Sequence, residues 1–144
     1  MPVANLHVLA GHPRADLKTW VREASRVVAE VLGAPLDRLE IWVTEIDPDL
    51  WGICGEPASD VLQSQSRRSS EMPLIRMALL EGRSTEQHHR LIAELTACTA
   101  RILDVEGSRI RVQIDQVHPD RWGIGGVPAS ILRAGEIAAR QNKT

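Results

Sequence analysis

The feature that most constrains this chain is that it is written twice. DLWGICGEPAS at 49–59 and DRWGIGGVPAS at 120–130 are nearly the same phrase, 71 positions apart. Slid against itself by that offset, the sequence aligns without a gap from residue 1 to about 62. Pro2 falls on Pro73, Gly11 on Gly82, Glu23 on Glu94, Leu32 on Leu103 and Arg38 on Arg109. A gapless register of this length marks a duplicated structural unit, so whatever one copy folds into, the other must as well.

Each copy has the same order of elements. VANLHVL (3–9) and LIRMALL (74–80) are short apolar runs closed by glycine and read as strands. A helical stripe follows, through Leu17, Trp20, Val21, Ala24, Val27, Val28, Val31 and Leu32, with Leu91, Ile92, Leu95, Cys98, Ile102 and Leu103 in the second copy. STEQ at 84–87 has the form of a capping box, and Pro13 suits a first helical position. The third element alternates, Leu39, Ile41 and Val43 against Glu40, Trp42 and Thr44, as a half-buried strand does, and Ile110, Val112 and Ile114 repeat it. The Trp-Gly phrases follow, with glycines that permit a tight turn or short hairpin.

The fold class expected is therefore α/β in the α+β sense. Two tandem β-α-β units form a four-stranded sheet with two helices on one face. The helix between the strands of each unit favours parallel pairing. The first unit spans 1–62, a polar Ser/Gln/Arg-rich linker 63–71, the second unit 72–133, and a tail 134–144 ends as a fraying helix. One sheet face stays uncovered, which points to self-association. Trp20 lies on the buried stripe. Trp42 faces away from it and is expected in an interface.

Bulk properties narrow the function. A net charge of −2 over 144 residues gives no general attraction to nucleic acid or anionic membrane. No apolar run approaches the ~18 residues of a membrane span. The opening MPVANLHVLAGHPRADL lacks a basic n-region and cleavage site, so a cytoplasmic protein is expected. Cys54 and Cys98 lack metal or redox spacing and read as reduced bystanders. His88 and His89 are adjacent, diverge on a helix and have no third ligand, so no metal is expected.

Met1-Pro2, GAPLDRLEIWVTE (33–45), LLEGRSTEQ (79–87) and the two WGIxGxPAS phrases, taken in order, resemble the tautomerase superfamily. The resemblance is closest to fused, two-copy members of the 4-oxalocrotonate tautomerase kind. It covers nearly the whole chain outside the linker and tail. It implies a cofactor-independent isomerase that moves a proton between keto and enol forms of a small unsaturated 2-hydroxy or 2-oxo acid. It also implies a homotrimer in place of the hexamer of single-copy subunits. Pro2 would be the general base once Met1 is removed. A free secondary amine has a lone pair to offer, whereas an amide nitrogen has not. An apolar pocket and nearby cations lower the pKa of such an amine toward the working range.

The same resemblance assigns the anion-binding positions to Arg83, after EG, and Arg111, on the third element. The first copy has His12 and Glu40 there. Pro73 is internal and cannot be a base. The first copy thus keeps the base and the second keeps both cations, so a working site combines Pro2 with Arg83 and Arg111, within one chain or across chains. Arginine grips a carboxylate through two hydrogen bonds and stays charged. Trp51, Trp122, Leu9 and Leu80 are candidates for an apolar wall, and Arg121 for a further anion contact. Two alternatives stand beside the tautomerase reading. One is a hydratase or dehalogenase of a small unsaturated acid, with Pro2 as general acid and Glu40 activating water. The other is a non-catalytic oligomeric scaffold.

Overall fold

Strict alternation of side chains decides where the sheet lies. In β1 (Val3–Leu9), Ala4, Leu6 and Val8 are buried, while Val3, Asn5 and His7 face the other way. In β5 (Leu74–Leu80) the buried set is Ile75, Met77 and Leu79. These two strands pair antiparallel at the centre of a sheet, Val3 opposite Ala78 and His7 opposite Leu74. Each has a parallel partner outside it, β2 (Glu40–Ile46) on β1 and β6 (Arg111–Val117) on β5. The order across the sheet is β2-β1-β5-β6. This computed structural model describes residues 2–142.

The two connections are 19-residue helices, α1 (Arg14–Leu32) and α4 (Thr85–Leu103), packed on each other and on one sheet face. Their buried residues follow most of the expected stripes, Leu17, Trp20, Ala24, Val28, Val31 and Leu32 on α1 and Leu91, Leu95, Cys98 and Leu103 on α4, with Thr99 added, whereas Val21, Val27 and Ile102 are half-buried and Ile92 is exposed. Both are stopped by a residue in the left-handed region, Gly33 at φ 62° and Asp104 at φ 53°. The capping box of Ser84 and Gln87 forms in full. Pro13 stands one residue before its expected place, at the N-cap of α1. Trp20 is fully buried, and its indole Nε1 donates to Thr99 Oγ1 at 2.9 Å, tying the two copies through the core.

Among the described residues, no helix covers the sheet's other face. Asn5, His7, Trp42, Arg76 and Asp115 line a shallow cleft of about 230 Å³ there, and Trp42 is 43% exposed. The Trp-Gly phrases form the small hairpins β3 (Gly52–Ile53) with β4 (Glu56–Pro57) and β7 (Gly123–Ile124) with β8 (Val127–Pro128). Both central residues of each turn have positive φ, Cys54 and Gly55 in one and Gly125 and Gly126 in the other. That is the geometry a two-residue hairpin requires. Short turns of helix follow, α2 (Ala58–Val61) and α5 (Ala129–Leu132).

Two segments are more ordered than their composition suggests. The linker forms a turn of helix, α3 (Arg67–Ser70), and ends with Ser70 and Glu71 buried. The tail forms α6 (Ala134–Gln141), held to the first copy by Glu136, which accepts from Arg38 Nη1 at 3.0 and 3.1 Å.

Candidate active site

Because β1 and β5 run antiparallel, the first residue of one copy lies beside the end of the first strand of the other. Pro2 is therefore placed against Leu79, Leu80 and the loop that follows them. It is buried, in a small cavity enclosed by Leu32, Leu79, Leu80, Arg83 and Arg140. The Pro2 carbonyl accepts the Glu40 backbone N–H at 3.1 Å, which fixes the residue at the sheet end. Met1, on which the expectation of processing rests, lies outside the described residues.

Arg83 reaches this cavity from the loop before α4. It donates to the Leu32 carbonyl at the end of α1. Burial, and then the neighbouring charge of Arg140, push its guanidinium down to about 10. It remains a cation at neutral pH, but in a place where charge is poorly solvated and an anion would be welcome. Arg140 comes from α6. A cleft of about 480 Å³, lined by Gly33, Arg83, Ser84, Gln87 and Arg140 among others, opens beside the proline cavity.

The opposite sheet end is the counterpart site of the other copy, and it is filled. Glu71, two residues before Pro73, is fully buried. Its carboxylate accepts the Leu9 N–H at 2.9 Å and contacts His12 Nε2 at 2.7 and 3.0 Å. Arg67 closes the top, Nη2 donating to the Ala10 carbonyl at 2.9 Å. It passes so near Gly11, at φ 118°, that a Cβ there would stand 2.9 Å from its Nη2.

The sequence candidates divide between the two ends. Pro2, Arg83 and Leu80 come together as expected. Leu9 does not join them: it is buried at the far end of its strand with Ile53 and Ala58, and Trp51 packs on that same cluster. Seven residues of extended chain separate Leu9 from Pro2, roughly 23 Å. Arg111 is also remote within the chain. It pairs in register with Leu74, while Pro2 lies one residue beyond Val3, which is opposite Ala78, so the two lie some five strand residues, ~17 Å, apart along the sheet and two strands across. The Arg111 guanidinium is turned onto the Ser108 carbonyl at 2.8 Å. Trp122 is half-buried and does not line the proline cavity, and Arg121 is exposed. Glu40 adjoins Pro2 through its backbone, with its side chain exposed. Sequence reasoning missed Arg140 and the Glu71–His12 pair. Arg140 and Glu71 sit in the segments after the hairpins, where the repeat register was not followed beyond residue 62.

The model of the family described as tautomerase enzyme matches residues 73–130. The 2-hydroxymuconate tautomerase of Pseudomonas sp. (strain CF600) is 39% identical over 61 residues, which are 42% of this chain and 97% of that protein. A 2-hydroxymuconate tautomerase of Pseudomonas putida is 44% identical over the same shares. The chain belongs to the tautomerase family. It is an isomerase-type enzyme whose curated relatives are each the size of one of its two copies. Solved structures show the two-copy arrangement. The crystal structure of a native fused 4-OT is 27% identical, with a TM-score of 0.81 over 91% of this tautomerase and 98% of that chain. A wild-type fused 4-OT asymmetric trimer is 26% identical, with a TM-score of 0.79 over the same shares.

Proposed function

We propose that this tautomerase converts a small unsaturated 2-hydroxy acid to its 2-oxo form without a cofactor, with Pro2 as general base after Met1 is removed. The observation that carries the reading is the burial of Pro2 among Leu32, Leu79 and Leu80, beside the Arg83 guanidinium. Removal of Met1 turns the Pro2 nitrogen from an amide into a secondary amine. The apolar walls and the adjacent cations favour its neutral form, which accepts a proton. That amine takes the enol hydroxyl proton and delivers it to a carbon further along the conjugated system, while the C–O bond becomes a carbonyl. Arg83 holds an anionic oxygen of the substrate through the reaction. The reading assigns Arg111, exposed at the opposite sheet end, to the Pro2 site of a neighbouring copy in the assembly. The uncovered sheet face with Trp42, together with the trimeric fused 4-OT relative, supports a homotrimer. A cytoplasmic location accords with the absence, among the described residues, of any helix long and apolar enough to cross a membrane.

Ketonisation of 2-hydroxy-2,4-dienoic acids, followed by ultraviolet absorbance, tests the reading. Pro2→Ala should lose about 10²- to 10⁴-fold in kcat, the usual contribution of a positioned base. Arg83→Ala should lose about 10- to 10³-fold in kcat/KM. Intact mass should show a chain lacking Met1. A mature chain that keeps Met1, or a Pro2→Ala variant as fast as wild type, would refute it. The position of Glu40 beside Pro2 keeps the hydratase alternative open to trial: activity on a 3-halopropenoate that Glu40→Gln abolishes would favour it.

A further inference from the structure

The two sheet ends are copies of one another, and the filled one shows what the other is built to receive. At the filled end a carboxylate, that of Glu71, lies on the His12 side chain. His12 and Arg83 occupy equivalent positions, 71 residues apart. Above the carboxylate, the segment after the first hairpin brings Arg67 over Gly11. The segment after the second hairpin does the same at the other end: Arg140 passes over Gly82, at φ 112°, with its Cδ 3.5 Å from where a Cβ would stand. The helices α3 and α6 are thus counterparts in place as well as in order, each laying an arginine across the glycine turn.

What differs is the anion. At the Pro2 end the acid that lines the cleft with Arg83 and Arg140 is Glu136. Among the described residues, neither Arg83 nor Arg140 has a carboxylate within ion-pair distance. Glu136, one turn before Arg140, is engaged by Arg38. Two guanidiniums facing each other across a partly buried cleft repel, and an anion between them relieves the repulsion.

We propose that Arg140, carried by the C-terminal helix, is a substrate-binding residue of the Pro2 site, closing with Arg83 on a carboxylate of the substrate. The inference rests on the proposed reaction only in taking Pro2 as the reacting end. It predicts that α6 is part of the site, and that affinity for a small unsaturated carboxylate depends on a residue outside both β-α-β units. Arg140 is half-exposed on the last full turn of its helix, so replacing it does not threaten the core.

The test has two arms. Calorimetry measures the binding of cis,cis-muconate, a non-enolic diacid, to wild type, Arg140→Ala and Arg140→Lys, with thermal melting to confirm equal folding. Steady-state ketonisation of an enol acid gives KM and kcat for the same proteins. The expected result is a loss of affinity of about 10- to 100-fold in Arg140→Ala, an intermediate loss in Arg140→Lys, which keeps the charge but not the fork, and a larger change in KM than in kcat. Affinity within about twofold of wild type in Arg140→Ala, or no binding of the diacid by wild type, overturns the proposal. Wild type that binds the diacid through Arg140 yet ketonises no enol acid leaves the anion site standing and removes the proposed reaction instead.

Discussion

Glu71 should be the most expensive surface-linker residue to remove. It lies in the stretch joining the two copies, where composition suggests a solvated connection, yet its side chain is fully buried and His12 beside it is 5% exposed. Glu71→Ala removes the acceptor of the Leu9 N–H and the partner of the imidazole in one step. Each orphaned buried donor costs about 1–3 kcal/mol, and the Leu9 N–H and the His12 side chain both lose their partner. Taking about 4 kcal/mol for the whole, and an unfolding entropy near 0.3 kcal/mol/K for a chain of this size, the melting temperature should fall by roughly 10–15 °C. The assay is thermal unfolding followed by circular dichroism at one fixed protein concentration, since association would shift the midpoint by itself. Glu71→Gln keeps an acceptor for Leu9 and should lose less than half as much. In a double-mutant cycle, His12→Ala on the Glu71→Ala background should cost clearly less than His12→Ala alone, because its partner has already gone. A Glu71→Ala variant melting within about 2 °C of wild type, or strictly additive singles, would refute the reasoning.

Two further outcomes follow from the core and the uncovered face. Thr99→Val should destabilise by about 1–3 kcal/mol in denaturant titration, because Trp20 Nε1 then has no acceptor in a fully buried site. An unchanged unfolding midpoint would mean the indole is satisfied some other way. His7, on the helix-free face, is held below the ordinary histidine value of 6.5, by burial first and by Arg76 second. As pH falls through that value the unfolded chain takes the proton before the folded one, so this residue subtracts stability below it and none above. Imidazole proton resonances should show the low midpoint. It should rise in Arg76→Ala while staying below the ordinary value, and a midpoint unmoved by that change would remove Arg76 as a cause.

The sheet, its helices and their faces were legible because they obey local rules. Alternation at Ala4, Leu6 and Val8, the three-and-four spacing through Trp20 and Val28, and the capping box at Ser84 each constrain a short stretch. The duplication then supplied the long-range step, since two equal units have few ways to share one sheet. Pro2 and Arg83 came from the resemblance to the tautomerase superfamily; what brings them together is the antiparallel pairing of β1 and β5, which carries the start of one copy to the end of the other's first strand. Leu9 was misplaced by overlooking that geometry, which sends the two ends of β1 to different sites. Glu71 and Arg140 were not legible. Their roles depend on where a polar linker and a polar tail come to rest, and no hydrophobic period marks that.

The asymmetry between the copies has a physical origin in the fusion itself. Joining two units end to start makes Pro73 an amide and obliges residues 63–71 to pass over the sheet end where that proline lies. A cavity lined by cations and left there, with no base inside it, would bind anions to no purpose and hold its charges poorly solvated. Closing it with a carboxylate from the linker satisfies those groups permanently, and the change from an arginine position to His12 shortens the side chain that must meet Glu71. The cation missing from the first copy is thus better understood as refitted to an internal ligand than as lost. The Pro2 end is the one at which an amine can form, and there α6 supplies Arg140 together with Glu136, whose carboxylate is taken up by Arg38. Glu71 therefore marks, within the same molecule, the kind of group that Arg83 and Arg140 would receive at the open end.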